Sequence, residues 1–166
     1  NAPLNQDQAF FKKAIKDGHV DALKHAPKPI KQDETLATLA ISLGGNPAYI
    51  GETLKSSSAF ITNLYKTKAL KQHDTLNWVS DLVKNDKTFF NTHLKDKPHL
   101  ITSASQTLQQ SKGFLLKLGS PTLSHVFKYL DDTLKEDPIF IEQALKVDDQ
   151  IKDKLSKNMK KTFNIK

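Results

Sequence analysis

The chain has 166 residues, of which 37% are apolar and 26% charged, a length and composition that suit an ordinary folded domain with its own core. All 25 basic residues are lysine and none is arginine, so the bidentate guanidinium fork that usually grips carboxylate, phosphate or guanine is missing, and anions can be held only by point charge. Cysteine is absent, which excludes disulfides, thiolate metal sites and a cysteine nucleophile.

Helical spacing dominates from the first residues onward. Phe10, Phe11, Ala14 and Ile15 form an apolar stripe ended by Gly18, and Val20 to Ala26 reads as a short helix before Pro27. Asp33 is placed to cap a helix with Leu36, Leu39, Ala40 and Leu43 on one face, and Gly44-Gly45 closes it. Asn46-Pro47 opens a helix through Ile50 and Leu54, and Ser56-Ser57-Ser58 reads as a linker with a cap. Asp74 starts the next, with Leu76, Val79, Leu82 and Val83 inward and Trp78 beside them, and Asp86 caps one carrying Phe90 and Leu94.

Pro98 opens a helix through Ile101, Ala104 and Leu108, Ser120-Pro121 one through Leu123 to Leu130, and Asp137-Pro138 one through Ile141, Ala144 and Leu145. Most prolines therefore sit at helix starts, as an all-helical chain requires. The expected fold is all-α, a single domain of stacked antiparallel helical hairpins, arranged as an irregular bundle or a short degenerate α-solenoid.

Internal similarity supports repetition. Lys31-Gln32-Asp33-Glu34-Thr35-Leu36 recurs as Lys71-Gln72-His73-Asp74-Thr75-Leu76, and the same offset relates Leu54-Lys55 to Leu94-Lys95 and Ile61 to Ile101. The expected repeats are 31–70 and 71–110, inside a helical domain spanning 1–151. Ala14 to Leu23 superficially resembles the helical half of an ankyrin repeat, but the Thr-Pro-Leu-His signature is missing and the offset is longer, so no family follows.

Charge is unevenly spread. Residues 1–151 carry 19 lysines against 17 acids, whereas 152–166 carry Lys152, Lys154, Lys157, Lys160, Lys161 and Lys166 against Asp153 alone. In that segment Leu155, Met159 and Phe163 continue an apolar spacing from Ile151, so 152–166 is expected to be a basic amphipathic helix or tail that binds an anionic lipid surface or a partner. A nearly neutral body argues against a groove built for nucleic acid. Trp78, Phe89 and Phe10 are the aromatic candidates for a partner surface.

No catalytic constellation emerges. The pairs His19/His25 and His93/His99 lack the i, i+4 spacing of a helical metal site, and the acids Asp131, Asp132, Glu136 and Asp137 lack a calcium-loop spacing. Gly44-Gly45-Asn46-Pro47 has no phosphate-loop lysine, and no nucleophile elbow occurs. The expectation is a non-enzymatic, cofactor-free interaction protein, with weak nonspecific nucleic-acid binding as the alternative. Absence of cysteine and a first residue other than Met suggest a secreted or periplasmic mature chain, for example a bacterial virulence-associated factor, with a cytoplasmic location as the alternative.

Overall fold

The computed structural model describes residues 8–70 and 75–165. Among the described residues every regular element is a helix and none is a strand. The α-helices in chain order are α1 (Gln8–Lys16), α2 (Lys28–Lys31), α3 (Glu34–Ser42), α4 (Glu52–Lys55), α5 (Ser58–Lys66), α6 (Asp81–Lys84) and α7 (Lys87–His93). They continue as α8 (Gln106–Gln109), α9 (Lys112–Leu116), α10 (Thr122–Phe127), α11 (Asp132–Lys135), α12 (Pro138–Val147) and α13 (Lys157–Thr162). Short 3-10 helices at Ala22–His25, Pro47–Tyr49, Pro98–Ser103 and Asp149–Lys154 join them. The chain divides into two compact units, Asn1–Val83 and Lys84–Lys166.

Five times, a four-residue helix is followed by a second helix that begins six residues after the first began: α2 and α3, α4 and α5, α6 and α7, α8 and α9, α11 and α12. The cause is an octapeptide: Ile30–Ala37, Leu54–Ile61, Val83–Phe90, Leu108–Leu115 and Leu134–Ile141. Its first, seventh and eighth residues are buried in every copy. Its second residue is lysine in four copies and glutamine, Gln109, in one. Its fourth is always Asp or Ser: Asp33, Ser57, Asp86, Ser111 or Asp137.

That fourth side chain is an N-cap. In every copy its oxygen accepts the backbone N–H of the seventh residue, at 2.8 to 3.4 Å. The cap satisfies an amide that the first turn of a helix leaves unpaired, and it turns the seventh and eighth residues toward the core. Burying a Phe or Leu there contributes roughly 1.5–3 kcal/mol relative to exposure. The octapeptides begin at residues 30, 54, 83, 108 and 134, so the period of the elements is 24 to 29 residues.

Consecutive repeats are sewn by backbone. The residue just ahead of a short helix donates its N–H to the carbonyl of the lysine that ends the preceding one: Gly51 to Lys31 at 2.7 Å, Ser80 to Lys55 at 3.1 Å and Ser105 to Lys84 at 2.9 Å. At Gly51 the approach is so close that a Cβ would lie 2.3 Å from the Gln32 side-chain amide, which explains glycine at that seam.

The 40-residue offset has a different relation to these elements. Leu54 to Ile61 is one octapeptide, whereas Leu94 to Ile101 runs from the end of α7 into the 3-10 helix Pro98–Ser103. The echo of Lys31–Asp33 and Glu34 at 71–74 lies outside the described residues, as does the expected cap Asp74.

Several long helices expected from spacing are broken in two. Pro47 to Leu54 is a 3-10 turn and α4, separated by extended Ile50 and Gly51. Pro98 to Leu108 is a 3-10 helix and α8, separated by extended Ala104 and Ser105. In each case a cap residue with extended backbone starts a fresh helix, and i, i+3 spacing across the joint imitates continuity. Leu43 and Leu82, expected inward, are 50% and 73% exposed, because Leu43 ends α3 and Leu82 lies on the outer side of α6. Trp78 lies in the turn before α6 rather than on a helix. The caps Asp33, Asp86 and Asp137 and the inward pair Phe90 and Leu94 stand where spacing placed them.

Candidate functional site

The short helices carry the charge pattern of the surface. In α4 and α11 the first residue is acidic and the fourth is lysine, and the two pair at i, i+3: Glu52 with Lys55 at 2.8 Å and Asp132 with Lys135 at 2.7 Å. α6 has the same residue types, Asp81 and Lys84, and α8 replaces both by glutamine. In α2 the corresponding residues are Lys28 and Lys31, and in α13 they are Lys157 and Lys160, so these two helices bear like charge where α4 and α11 neutralise themselves.

The C-terminal segment differs from the expected continuous amphipathic helix. Asp149–Lys154 is a 3-10 helix, Leu155 is extended at φ −69° and ψ 148°, and α13 starts afresh with the Ser156 hydroxyl accepting the Met159 N–H at 3.2 Å. Ile151, Leu155 and Met159 are all buried, so the apolar edge is spent on the second unit and is not presented to a bilayer. Phe163, which ends α13, is half-buried. The lysines remain outside: Lys154, Lys157 and Lys161 are exposed and Lys152 and Lys160 half-buried, while Lys166 lies outside the described residues. Lys152 pairs with the Asp149 carboxylate, whose hydrogen bond and charge raise the lysine pKa above its ordinary value. Among the described residues no carboxylate pairs with Lys154, Lys157, Lys160 or Lys161.

Asp148 anchors this segment. It is 1% exposed, and it accepts the Ser120 hydroxyl at 3.0 Å, the Ser124 N–H at 2.8 Å and the Gln150 N–H at 3.2 Å. Burial pushes its pKa up, but the hydrogen bonds from Ser124, Ser120 and Gln150 together outweigh burial and hold it below the usual carboxylate value. One side chain thereby caps the 3-10 helix and supplies an acceptor to the first turn of α10, which has no cap of its own.

The aromatic candidates separate. Phe10 is 48% exposed, with its ring edge-on to buried Phe11 at 5.3 Å between centroids. Phe89 is buried, because it holds the seventh position of its octapeptide, and so is withdrawn from any partner surface. Trp78 is half-buried.

Two acids of the 131–137 cluster are structural caps. The Thr133 hydroxyl, followed by the Thr133 N–H, lowers the pKa of Asp131, and Lys112 followed by the Phe140 N–H lowers that of Asp137. Among the described residues no three His or acidic side chains are grouped as metal ligands.

Two clefts are lined by more than one lysine. In the first unit, a cavity of about 390 Å³ is lined by Lys28, Lys31, Lys55, Gln32 and Tyr49, with Glu52 also in its wall. In the second unit, a cavity of about 510 Å³ between α7 and α9 is lined by Lys87, Lys117, Thr88, Asn91, Ser111, Gly113 and Phe114, with no acid. Sequence reasoning missed both clefts. The readable signal was the fixed distance between lysine and cap residue in successive octapeptides, which a 40-residue register obscures.

No protein-family model, curated protein or solved structure matches the chain. No helix among the described residues is long and apolar enough to cross a membrane.

Proposed function

We propose that the chain is a non-enzymatic helical-repeat interaction protein, exported from the cell that makes it, that holds an acidic protein partner through its lysine surface. Within each unit the repeats stack in the manner of a short α-solenoid. The observation that carries the reading is the C-terminal segment: its apolar residues Ile151, Leu155 and Met159 are buried, while Lys154, Lys157, Lys160 and Lys161 project unpaired among the described residues. A basic surface fixed on a folded unit suits an acidic protein face, held by diffuse charge rather than by arginine forks. Buried apolar residues weaken the case for a helix that inserts into lipid. Export rests on the absence of cysteine, which suits an oxidising compartment.

Removing 152–166 would unfold the second unit by exposing its core, so the test keeps the chain whole. The variant Lys154→Gln/Lys157→Gln/Lys160→Gln/Lys161→Gln is compared with the native protein for binding to a labelled oligo-aspartate peptide, phosphatidylserine vesicles and single-stranded DNA across a salt series. The expected result is peptide binding that weakens with salt and is lost in the variant, with circular dichroism unchanged. Binding that prefers vesicles or DNA, or that survives in the variant, overturns the reading.

A further inference from the structure

Asp137 is more than a helix cap. One oxygen accepts the Ile139 and Phe140 N–H groups, and the other receives the ammonium of Lys112, twenty-five residues earlier. Lys112 is the fifth residue of the preceding octapeptide, so the carboxylate staples one repeat to the next. In the first unit Asp33 also uses both oxygens, accepting the amide of Gln8 on α1 with the outer one while the inner one caps α3.

At the junction of α7 and α9 half of this device is missing. Lys87 holds the fifth position, as Lys112 does, but the cap it faces in register is Ser111. A serine hydroxyl can cap the Phe114 N–H, which it does at 3.4 Å, yet it has no second, anionic oxygen for a lysine. Among the described residues no carboxylate pairs with Lys87, nor with Lys117 on the opposite wall. The place where the carboxylate would lie is the 510 Å³ cleft, whose wall also offers the hydroxyls of Ser111 and Thr88 and the amide of Asn91.

We propose that this cleft receives a carboxylate side chain, aspartate or glutamate, from the acidic partner. It is a docking point for one acidic residue between Lys87 and Lys117, completing from outside the staple that Asp137 completes from within. This rests on the acidic-partner reading above and adds a second, geometrically defined contact to the diffuse C-terminal surface. Charge complementarity argues for the occupant: two lysines, three neutral polar groups and no acid line the cleft.

The test is a substitution that builds the missing staple. Ser111→Asp should cap α9 as Asp86 and Asp137 cap their helices, so the fold is kept, and its free oxygen should engage Lys87. The expected results are a Tm raised by about 2–4 °C and binding of the labelled oligo-aspartate peptide weakened about tenfold. Lys87→Gln should weaken the peptide to a similar degree, and in the double variant Lys87→Gln/Ser111→Asp the gain in Tm should vanish. Oligo-asparagine serves as the uncharged control and should not bind. If Ser111→Asp leaves peptide binding at the native level, or Lys87→Gln does so, the cleft is not the docking point. Should those variants bind normally while the quadruple C-terminal variant does not, this proposal falls and the wider reading stands; if the native protein ignores the peptide, both fall.

Discussion

The short helices α4 and α13 share a residue pattern and have opposite surfaces. Each begins two residues before a buried apolar side chain, Leu54 in one and Met159 in the other, and each has lysine as its fourth residue. α4 cancels its lysine with Glu52, whereas α13 places Lys157 and Lys160 at the paired positions and leaves both uncancelled among the described residues. α11 behaves like α4, through Asp132 and Lys135, and α2 like α13, through Lys28 and Lys31. The repeat thus separates two tasks. Buried positions and caps fix the fold, and the outer pair sets local charge without disturbing it.

That separation can be broken most severely from the inside. Phe140, fully buried at the seventh position of its octapeptide, should cost about 3–5 kcal/mol when changed to Ala, from lost burial and a residual cavity. Urea unfolding measures it, and a much smaller loss would mean that the octapeptide is not the frame of the fold. Next comes Asp148. Asp148→Ala leaves three donors without their acceptor and should cost about 1–3 kcal/mol. Because the folded-state pKa of Asp148 is lowered, its contribution is complete above the ordinary carboxylate range and is lost as pH falls through the lowered value. Stability of native protein and Asp148→Asn, measured from neutral to acid pH, should therefore differ most at neutral pH and converge in acid.

A cap lies lower on the scale. Ser57→Ala removes the acceptor for the Phe60 N–H and should cost about 1 kcal/mol. At the small end, Glu52→Gln removes an exposed pair and should change stability by less than about 0.5 kcal/mol. Its use is to sharpen the comparison. Glu52→Lys gives α4 the charge of α2 and α13, and affinity for oligo-aspartate should rise while circular dichroism stays unchanged. A variant that binds no better would show that uncancelled lysines on short helices do not set affinity.

Much of the frame could be read in advance. Asp33, Asp86 and Asp137 were recognisable as caps because an acid followed three residues later by an apolar side chain leaves few other readings. Phe90 and Leu94 followed from helical spacing on α7 and its C-cap. The joints were not readable. Ile50, Ala104 and Leu155 have extended backbone yet sit at apolar spacings that continue a helix on paper. Two adjacent phenylalanines on one helix suggest one face in and one out, which makes Phe89 a surface candidate on sequence alone. Packing instead takes both, the seventh and eighth positions being angled to either side of the same core. Electrostatic vacancies were harder still. The gap beside Lys87 is visible only when Ser111 is set against Asp137, and that alignment needs the octapeptide register.

The backbone seams at Gly51, Ser80 and Ser105 have one more consequence. Because peptide groups carry them, and not side chains, the residue whose carbonyl is used can change identity without loosening the join. Substitution of Lys31, Lys55 or Lys84, whose carbonyls are used, should therefore leave the seams in place while it alters the charge of the outer face.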